Sequence, residues 1–344
     1  MNNEINVVVI GAGRMGTIHA KNLTLLRNVN LLGIVDPNKE RGLSLANEIK
    51  TNYFPSIDDA LSHIRSKVEA LIIAVPVLQH FEVVKKVIDL EVPIFLEKPI
   101  APNLKDTLDL VKLVMRRSIK IQIGFMRRYD VTFQKIKEYV SRIGKVRVLK
   151  LITRDLGSSS VGIGMLYPGS ILYDLTIHDL DLVVWYVGFP PKRLHAFGDA
   201  LVIKEYKGAG DFDTVLINIK YDDALVNIEN TRYSTYYDIR VEALGDDGLI
   251  RTSNRTIHEV SLVSSRQIIN PEIPWFEQYF KDAYFAEIKA FIDSITHNTD
   301  PYPGLVESLK SHIMAEMALL SILWGRDVSM NDLLDKYPDL KSLI

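Results

Sequence analysis

The stretch INVVVIGAGRMG at residues 5–16 decides the fold of the first part of the chain. Its first six residues form a short apolar run rich in β-branched side chains, which predicts a buried parallel strand. The glycines Gly11, Gly13 and Gly16 allow a tight turn, close approach of the backbone to a pyrophosphate, and close packing of a helix on the strand. A helix that begins after Gly13 would point its unbonded N–H groups at the phosphates. The stretch therefore predicts a dinucleotide site; a purely structural glycine turn is the alternative.

An acidic residue, Asp36, ends the second predicted strand, twenty positions after Gly16. A carboxylate there can accept hydrogen bonds from both ribose hydroxyls of an adenosine, whereas a 2′-phosphate would meet like charge. The alternative is an aspartate that merely ends a strand before a turn. The sequence therefore favours NAD. NADP is the alternative, because Lys39 and Arg41 lie close enough to soften the repulsion of a 2′-phosphate.

Composition narrows the class of protein. A chain of 344 residues is long enough for about two domains. With 24% charged residues and a formal net charge of −2, it has no basic footprint for nucleic acid or an anionic membrane. No apolar run reaches the roughly 18 residues needed to cross a bilayer, and we expect no leader before the first strand. The absence of cysteine excludes disulfides, thiolate catalysis and cysteine zinc sites. We therefore expect a cytoplasmic protein with no membrane or nucleic-acid partner.

The order of predicted elements changes about one third of the way along the chain. Strands and helices alternate up to residue 123, which predicts a parallel, doubly wound sheet. After Gly124, most strand-like stretches alternate as in an antiparallel sheet with one covered face, interrupted by a helix predicted over residues 171–187. We predict an α/β protein with an N-terminal doubly wound Rossmann domain (residues 1–123). A C-terminal α+β domain with an open, mainly antiparallel sheet follows (residues 124–344).

A lysine, Lys98, follows another buried strand within the string Glu97-Lys98-Pro99. Ligands of doubly wound sheets bind at the carboxyl ends of the strands, so a lysine there would face the nicotinamide. An ordinary surface lysine is the alternative. His80, after the fourth strand, either lines the same cleft or simply begins a helix.

Acidic residues accompany a histidine in the predicted helix over residues 171–187. Asp174, His178 and Asp181 fall at i, i+4 and i+7 and would share a polar face. A histidine beside a carboxylate can act as a general base near neutral pH. The alternatives are a metal pair, a capping or salt-bridge cluster, and a structural histidine. We predict no metal, because the sequence offers no obvious third ligand. Other histidines, His19 and His312 among them, show no companion pattern and are expected to be structural or solvent-facing.

With these motifs in place, the chain resembles the glucose–fructose oxidoreductase and inositol dehydrogenase (Gfo/Idh/MocA) family over nearly its whole length. The GFMRRYD string is most similar to the inositol 2-dehydrogenase branch. The motifs that carry the resemblance are GAGRMG at 11–16, EKP at 97–99, GFMRRYD at 124–130, DLTIHDLD at 174–181, YDIR at 237–240 followed by Gly245, and residues 280–291 with Tyr284 and Glu287.

The resemblance implies an NAD-dependent dehydrogenase that acts on CH–OH groups, with Lys98, Asp174 and His178 as its catalytic group. It also implies that six residues contact the polyol. This substrate set consists of Arg127, Asp155, Asp174, His178, Tyr237 and Tyr284. The expected cofactor set is Gly11, Gly13, Arg14, Met15, Gly16, Asp36, Ala74, Val75, Pro76, His80, Glu97 and Lys98.

The implied reaction transfers a hydride between a secondary alcohol of a cyclic polyol or sugar (myo-inositol-like) and NAD. An aldose 1-dehydrogenase and a reductase of a keto-inositol or keto-sugar are the alternatives within the family. A non-catalytic NAD or sugar sensor would be expected to lack Lys98 or His178. Ser170, Thr235 and Asp155 depart from residues common in inositol dehydrogenases, which leaves the polyol open. The resemblance further implies a homodimer or homotetramer joined through the open sheet faces, with apolar residues turned outward on the strand at 225–233.

Overall fold

A computed structural model describes residues 4–157, 166–258, 260–263, 267–270 and 272–344. The chain forms two compact units. Unit 1 comprises Met1–Asp130, Asp282–His312 and Leu343–Ile344, and unit 2 comprises Val131–Lys281 and Ile313–Ser342.

Unit 1 contains a six-stranded parallel sheet in the order β3-β2-β1-β4-β5-β6, which confirms the predicted doubly wound sheet. The strands are β1 (Ile5–Ile10), β2 (Val29–Val35), β3 (Asn52–Phe54), β4 (Ala70–Ile73), β5 (Ile94–Glu97) and β6 (Ile121–Gly124). The helices between them are α1 (Arg14–Leu23), α2 (Lys39–Ile49), α3 (Ile57–Ile64), α4 (His80–Val87) and α5 (Leu104–Met115). The strand order reverses between β1 and β4, and ligands of such sheets bind at this switch point.

Local sequence explains where several of these helices begin. Asn38, Ser56 and Asn103 each precede a helix and accept a hydrogen bond from a backbone N–H in its first turn. Such a cap stabilises a helix by about 1 kcal/mol. The strands β4 and β5 are buried along their whole length, as expected for central parallel strands.

The helix α11 (Lys281–Thr296) lies almost wholly in unit 1, although the predicted boundary places residues 124–344 in the second domain. Its residues Ile288, Phe291 and Ile292 are fully buried in one apolar core with Phe95 of the sheet. Burying each of these side chains contributes roughly 1.5–3 kcal/mol, which accounts for the return of the chain to this unit. The structure also divides the chain at Asp130 instead of residue 123.

Unit 2 contains a six-stranded sheet in the order β12-β11-β7-β10-β9-β8. Only the pair of β7 and β10 is parallel, so the prediction of a mainly antiparallel sheet is confirmed. The strands are β7 (Val146–Leu156), β8 (Arg193–Asp199), β9 (Thr214–Lys220), β10 (Leu225–Ser234), β11 (Asp238–Gly245) and β12 (Leu249–Arg251); β13 (Leu262–Val263) and β14 (Ile268–Ile269) pair separately. The remaining helices are α6 (Val131–Val140), α7 (Ser170–Asp174), α8 (Thr176–Tyr186), α9 (Glu205–Gly208), α10 (Phe276–Tyr279), α12 (Leu305–Trp324) and α13 (Met330–Lys336).

The helix predicted over residues 171–187 differs from the expectation in two ways. It is divided at Leu175 into α7 and α8. The residues predicted to share a polar face are divided between the two helices, with Asp174 in α7, and His178, Asp179 and Asp181 of α8 are buried along with the apolar residues. The helix packs on β7, β10 and α6, so its polar residues lie inside unit 2.

Among the described residues, no helix combines the length and the apolar character that a bilayer crossing requires.

Candidate active site

The three glycines of the glycine turn (residues 11–16) have different amounts of space around them. A Cβ atom on Gly11, whose φ is +103°, would lie 2.4 Å from the carbonyl oxygen of Ala74, and one on Gly16 would lie 1.9 Å from the oxygen of Gly11. A Cβ on Gly13, in contrast, would meet no atom within 4 Å. Gly11 and Gly16 are therefore required for packing, whereas Gly13 leaves open space for a ligand to approach the backbone.

The residues after β4 lie beside the glycine turn, at the switch point of the sheet. The backbone N–H of Ala74 donates to the carbonyl of Ile10 at 2.9 Å, and Val75 and Pro76 follow directly. The helix α1 begins at Arg14, and its N-cap residue Gly13 has no side chain to cap the first turn. The N-terminal N–H groups of such a helix favour phosphate oxygens. These features fit the pyrophosphate of a dinucleotide.

Asp36, at the end of β2, is buried and fully engaged with neighbouring groups. Its Oδ2 atom accepts the backbone N–H of Ala12 at 2.7 Å, and its Oδ1 atom accepts that of Asn38 at 2.8 Å. Arg41, with a half-exposed side chain, adds an ion pair at 2.8 Å. The carboxylate thus joins the second strand to the glycine turn, and Arg41 supplies a cation beside the position predicted for the adenosine ribose.

A short turn carrying Lys98, here called the lysine turn (residues 97–100), follows β5. The Oε1 atom of Glu97 lies 2.5 Å from Nε2 of His19, and its Oε2 atom accepts the backbone N–H of Lys98 at 3.2 Å. Both oxygens of Glu97, a residue of the predicted cofactor set, therefore have partners inside unit 1. The side chain of Lys98 is itself half-buried.

His80, the first residue of α4, is buried and connects two segments of the predicted cofactor site. Its Nδ1 lies 2.9 Å from the carbonyl oxygen of Pro99, and its Nε2 lies 3.0 Å from that of Val75. Burial lowers the pKa of His80, whereas its contacts with the two carbonyl oxygens act in the opposite direction. His80 thus begins a helix, as one alternative of the sequence interpretation has it, and its ring also joins the segment after β4 to the lysine turn. Its place in the cofactor set stays a prediction.

Asp174 ends α7 and forms an ion pair in unit 2 that the sequence did not suggest. The guanidinium of Arg232, on β10, is buried and lies 3.3 Å from Oδ2 of Asp174. The same guanidinium contacts Asp211 at 2.7 Å and Ser170 at 3.0 Å. Asp174 retains 44% side-chain exposure, so its carboxylate reaches solvent while Arg232 restrains it.

The polar residues of α8 are buried in unit 2. His178 is 5% exposed, four positions after Asp174. Asp179 accepts a hydrogen bond from Nδ2 of Asn230 at 2.6 Å. Lys98 belongs to unit 1 and the Asp174–His178 pair to unit 2, so their convergence on one substrate stays a prediction.

The residues of the predicted substrate set occupy varied surroundings. Arg127 is buried in a 3-10 turn, and Asp155 is half-buried near the end of β7. The ring of Tyr237 packs edge-on against Trp275, with ring centroids 4.9 Å apart. Tyr284 is buried, and its ring centroid lies 6.3 Å from that of His19.

Sequence reasoning missed Arg232, and it treated His19 and His312 as residues without companions. His312 accepts the backbone N–H of Ile100 at 2.9 Å through Nε2. The partners are 58 positions apart for Arg232 and Asp174, and 212 positions apart for Ile100 and His312. No spacing rule connects residues so distant, and the only available signal was the polar character of residues within otherwise apolar segments.

Comparison with known proteins agrees with this geometry. Residues 5–125 match the model of the oxidoreductase family with an NAD-binding Rossmann fold, and residues 133–251 match the Gfo/Idh/MocA C-terminal domain. The chain belongs to the Gfo/Idh/MocA family. The resemblance, the fold class, the NAD cofactor and the assignment as an NAD-dependent oxidoreductase are thereby confirmed.

Members of the Gfo/Idh/MocA family match almost the whole chain. It is 31% identical to the uncharacterised oxidoreductase YrbE of Bacillus subtilis, over 96% of this chain and 98% of the relative. It is 28% identical to a myo-inositol 2-dehydrogenase of Thermotoga maritima, over 96% of this chain and 100% of the relative. The crystal structure of a myo-inositol dehydrogenase from Corynebacterium glutamicum superposes with a TM-score of 0.87 at 26% identity, covering 95% and 98% of the two chains.

Proposed function

We propose that this protein oxidises a secondary alcohol of a cyclic polyol, of the myo-inositol type, with NAD as the acceptor. The names of the relatives and the Lys98, Asp174 and His178 motifs support the proposal. The single observation that carries it is the ion pair between Asp174 and buried Arg232. Arg232 restrains the half-exposed carboxylate of Asp174, which lies four positions before His178, and the same chain has an NAD-binding domain.

The proposed roles follow from the chemistry of the three side chains. NAD, when bound, supplies the acceptor for the hydride that leaves the carbinol carbon. His178 takes the hydroxyl proton, a task suited to a neutral imidazole near pH 7. Asp174 orients the ring and stabilises the resulting imidazolium. Lys98 donates a hydrogen bond to the reacting oxygen and stabilises its developing negative charge.

The ion pairs of two arginines that could contact an anion, Arg128 and Arg154, favour a neutral polyol over a sugar phosphate. Arg128 is paired with Tyr302 and Glu307. Arg154 is paired with Glu229 and, at 3.1 Å, with Asp238. Guanidinium groups already neutralised by the protein attract an anionic substrate weakly.

The alternatives use the same catalytic group. An aldose 1-dehydrogenase or a keto-inositol reductase would need Lys98, Asp174 and His178 in equivalent roles. A sensor of NAD or sugar would not need them, and this chain retains all three. NADP remains an alternative cofactor because Arg41 lies beside Asp36.

Activity measurements would test the proposal. The purified protein is incubated with NAD⁺ or NADP⁺ and a panel of inositols, glucose, galactose and xylose, and reduced cofactor is followed by absorbance. We expect turnover with an inositol and NAD⁺. Turnover restricted to an aldose would favour the aldose 1-dehydrogenase, and reduction of a ketose alone would favour the reductase.

Substitutions test the catalytic group. Lys98→Met, Asp174→Ala and His178→Ala should each lower kcat by about 10²–10⁴-fold while NAD still binds. The exposed residues Lys105 and His297 provide matched controls, and Lys105→Met and His297→Ala should leave kcat unchanged. Near-normal turnover of His178→Ala across the pH range would refute its role as the base.

The open face of the unit 2 sheet supports a homo-oligomer. Phe197 and Leu216 pair across β8 and β9 and are 63% and 43% exposed. On β10, Leu225 and Tyr233 are exposed, but the polar Asn227 and Glu229 lie between them, so the predicted apolar face is less continuous than expected. We propose that a second copy of this chain covers the face, as exposed apolar patches favour association. Light scattering after size exclusion should give a dimer or tetramer, and Phe197→Lys with Leu216→Lys should give a monomer.

A further inference from the structure

Three buried histidines from three different helices contact the lysine turn. His19 of α1 contacts the carboxylate of Glu97 at 2.5 Å. His80 of α4 contacts the carbonyl of Pro99 at 2.9 Å, and His312 of α12 contacts the N–H of Ile100 at 2.9 Å. Glu97, Pro99 and Ile100 of the turn are thus each in contact with a buried imidazole.

Hydrogen-bond geometry determines the tautomer of His312. Its Nδ1 faces the carbonyl oxygen of Ser308 at 2.8 Å and must donate, whereas its Nε2 faces the N–H of Ile100 and must accept. An imidazolium has no acceptor, so only the neutral ring satisfies both contacts.

A second buried carboxylate, that of Glu287, lies beside Glu97 and His19. Glu287 of α11 is fully buried, and one of its carboxylate oxygens lies within 4.8 Å of a carboxylate oxygen of Glu97 and of a ring nitrogen of His19. Among the described residues, neither carboxylate oxygen of Glu287 has a hydrogen-bond partner, and neither has Nδ1 of His19. Tyr129 is another titratable group that interacts with Glu287, and it is neutral at physiological pH. Two buried carboxylates with no bound cation or proton would be strongly unfavourable.

The short contact between His19 and Glu97 distinguishes a proton from a metal ion. Two ligand atoms of one tetrahedral Zn²⁺, each about 2.1 Å from the metal, would lie roughly 3.4 Å apart. The observed 2.5 Å between Nε2 and Oε1 is a direct hydrogen bond instead. The contact between His19 and Glu97 therefore needs no bridging metal ion, and a proton on Glu287 would neutralise the second carboxylate.

We propose that Glu287 is a neutral carboxylic acid and that it acts, with His19, His80 and His312, as a positioning residue for Lys98. The proton on Glu287 leaves one negative charge on Glu97, which His19 and the backbone N–H of Lys98 stabilise. The lysine turn is then restrained at Glu97, Pro99 and Ile100, and the direction of the Lys98 side chain is fixed. This inference rests on the proposed function, in which Lys98 donates a hydrogen bond to the reacting oxygen of the substrate.

Difference infrared spectroscopy tests the proton without measuring activity. The spectrum of wild type minus Glu287→Gln at pH 7 should contain the carbonyl band of a protonated acid. Glu287→Gln, which is neutral and isosteric, should keep the melting temperature at pH 7. The exposed Glu82 supplies the control, and Glu82→Gln should give no such band. Loss of stability in Glu287→Gln, with a metal ion found by elemental analysis of wild type only, would refute the inference.

A mutant cycle tests the positioning role. His312→Ala should lower kcat by about tenfold to a hundredfold with little change in KM, because small displacements of a catalytic group have such effects. His312→Gln, which can still accept from Ile100, should restore part of the loss. In a Lys98→Met background, His312→Ala should cause no further decrease. An equal further decrease in that background would refute the positioning role.

The two proposals can fail separately. Normal turnover of Lys98→Met would refute the catalytic role of Lys98, while the infrared band would still report the state of Glu287. Absence of the band would refute the neutral acid, while the substitutions of Lys98 and His178 would still test the reaction.

Discussion

The guanidinium of Arg232 bridges Asp174 and Asp211, with Nη2 3.3 Å from Oδ2 of Asp174 and Nη1 2.7 Å from Oδ2 of Asp211. Asp211 is itself anchored, because its Oδ1 atom accepts the backbone N–H of Ile171 at 3.1 Å at the start of α7. The ion pair thus connects β10 to both ends of the short helix that presents Asp174. A planar guanidinium suits this arrangement because it can donate to two carboxylates at once.

Two replacements of Arg232 should separate the effect of its positive charge from the effect of its planar guanidinium geometry. Arg232→Lys keeps a cation but not the fork, so we expect kcat to fall by about tenfold or more with the fold intact. Arg232→Met leaves Asp211 buried without a counter-charge and should lower the free energy of unfolding by about 3–5 kcal/mol. Kinetics and denaturant unfolding measure the two effects. Arg147→Lys, in an exposed ion pair, is the control; wild-type turnover in Arg232→Lys would argue against any influence on Asp174.

Alanine substitutions at Gly16 and Gly13 of the glycine turn should differ in their effect on stability. Gly16→Ala places a Cβ 1.9 Å from a backbone oxygen, so it should destabilise unit 1 and abolish NAD binding. Gly13→Ala meets no protein atom within 4 Å, so the protein should fold normally but bind NAD more weakly. Thermal unfolding and calorimetric titration with NAD⁺ distinguish these outcomes. Unchanged NAD affinity in Gly13→Ala would show that the backbone there does not approach the pyrophosphate.

Removal of the carboxylate at position 36 should change cofactor choice. Asp36→Ala removes the acceptor proposed for the ribose hydroxyls and leaves Arg41 without its partner. A hydrogen bond to a charged group contributes about 1.5–3 kcal/mol, so NAD affinity should fall roughly tenfold to a hundredfold. Binding of NADP should weaken less or improve, because Arg41 can then contact a 2′-phosphate. The ratio of the two dissociation constants measures this, and an unchanged ratio would contradict it.

His312 should make stability depend on pH in the acidic range. Burial lowers the pKa of His312 from 6.5 to about 4, so between these values the unfolded chain binds more protons than the folded protein. The stabilisation is complete above pH 6.5 and is lost as the pH falls towards 4; it amounts to about 3 kcal/mol. His80, whose pKa burial also lowers, contributes with the same sign.

Denaturant unfolding from pH 4 to 7 measures this dependence. His312→Gln should show a shallower change in the free energy of unfolding than wild type. The exposed His297→Gln should keep the wild-type slope. Equal slopes in wild type and His312→Gln would indicate that His312 does not titrate between the folded and unfolded states in this range.

Patterns within short windows predicted much of the fold. The apolar run of β1, the spacing of the glycines and the alternation of strands with helices depend on neighbouring residues, and the structure reproduces them. The spacing of His178 and Asp181 shows that they can share a face of a helix but not what covers that face, and the structure buries both residues.

The sequence by itself determined the parallel sheet, the dinucleotide turn and the identity of the residues at the motif positions, since strand, turn and helix preferences act over a few neighbouring residues. Only the tertiary structure decided that α11 packs in unit 1, that Arg232 pairs with Asp174, and that three histidines contact the lysine turn. These contacts join residues tens to hundreds of positions apart. Burial and charge pairing select such partners after the chain has folded, and no local pattern records the choice.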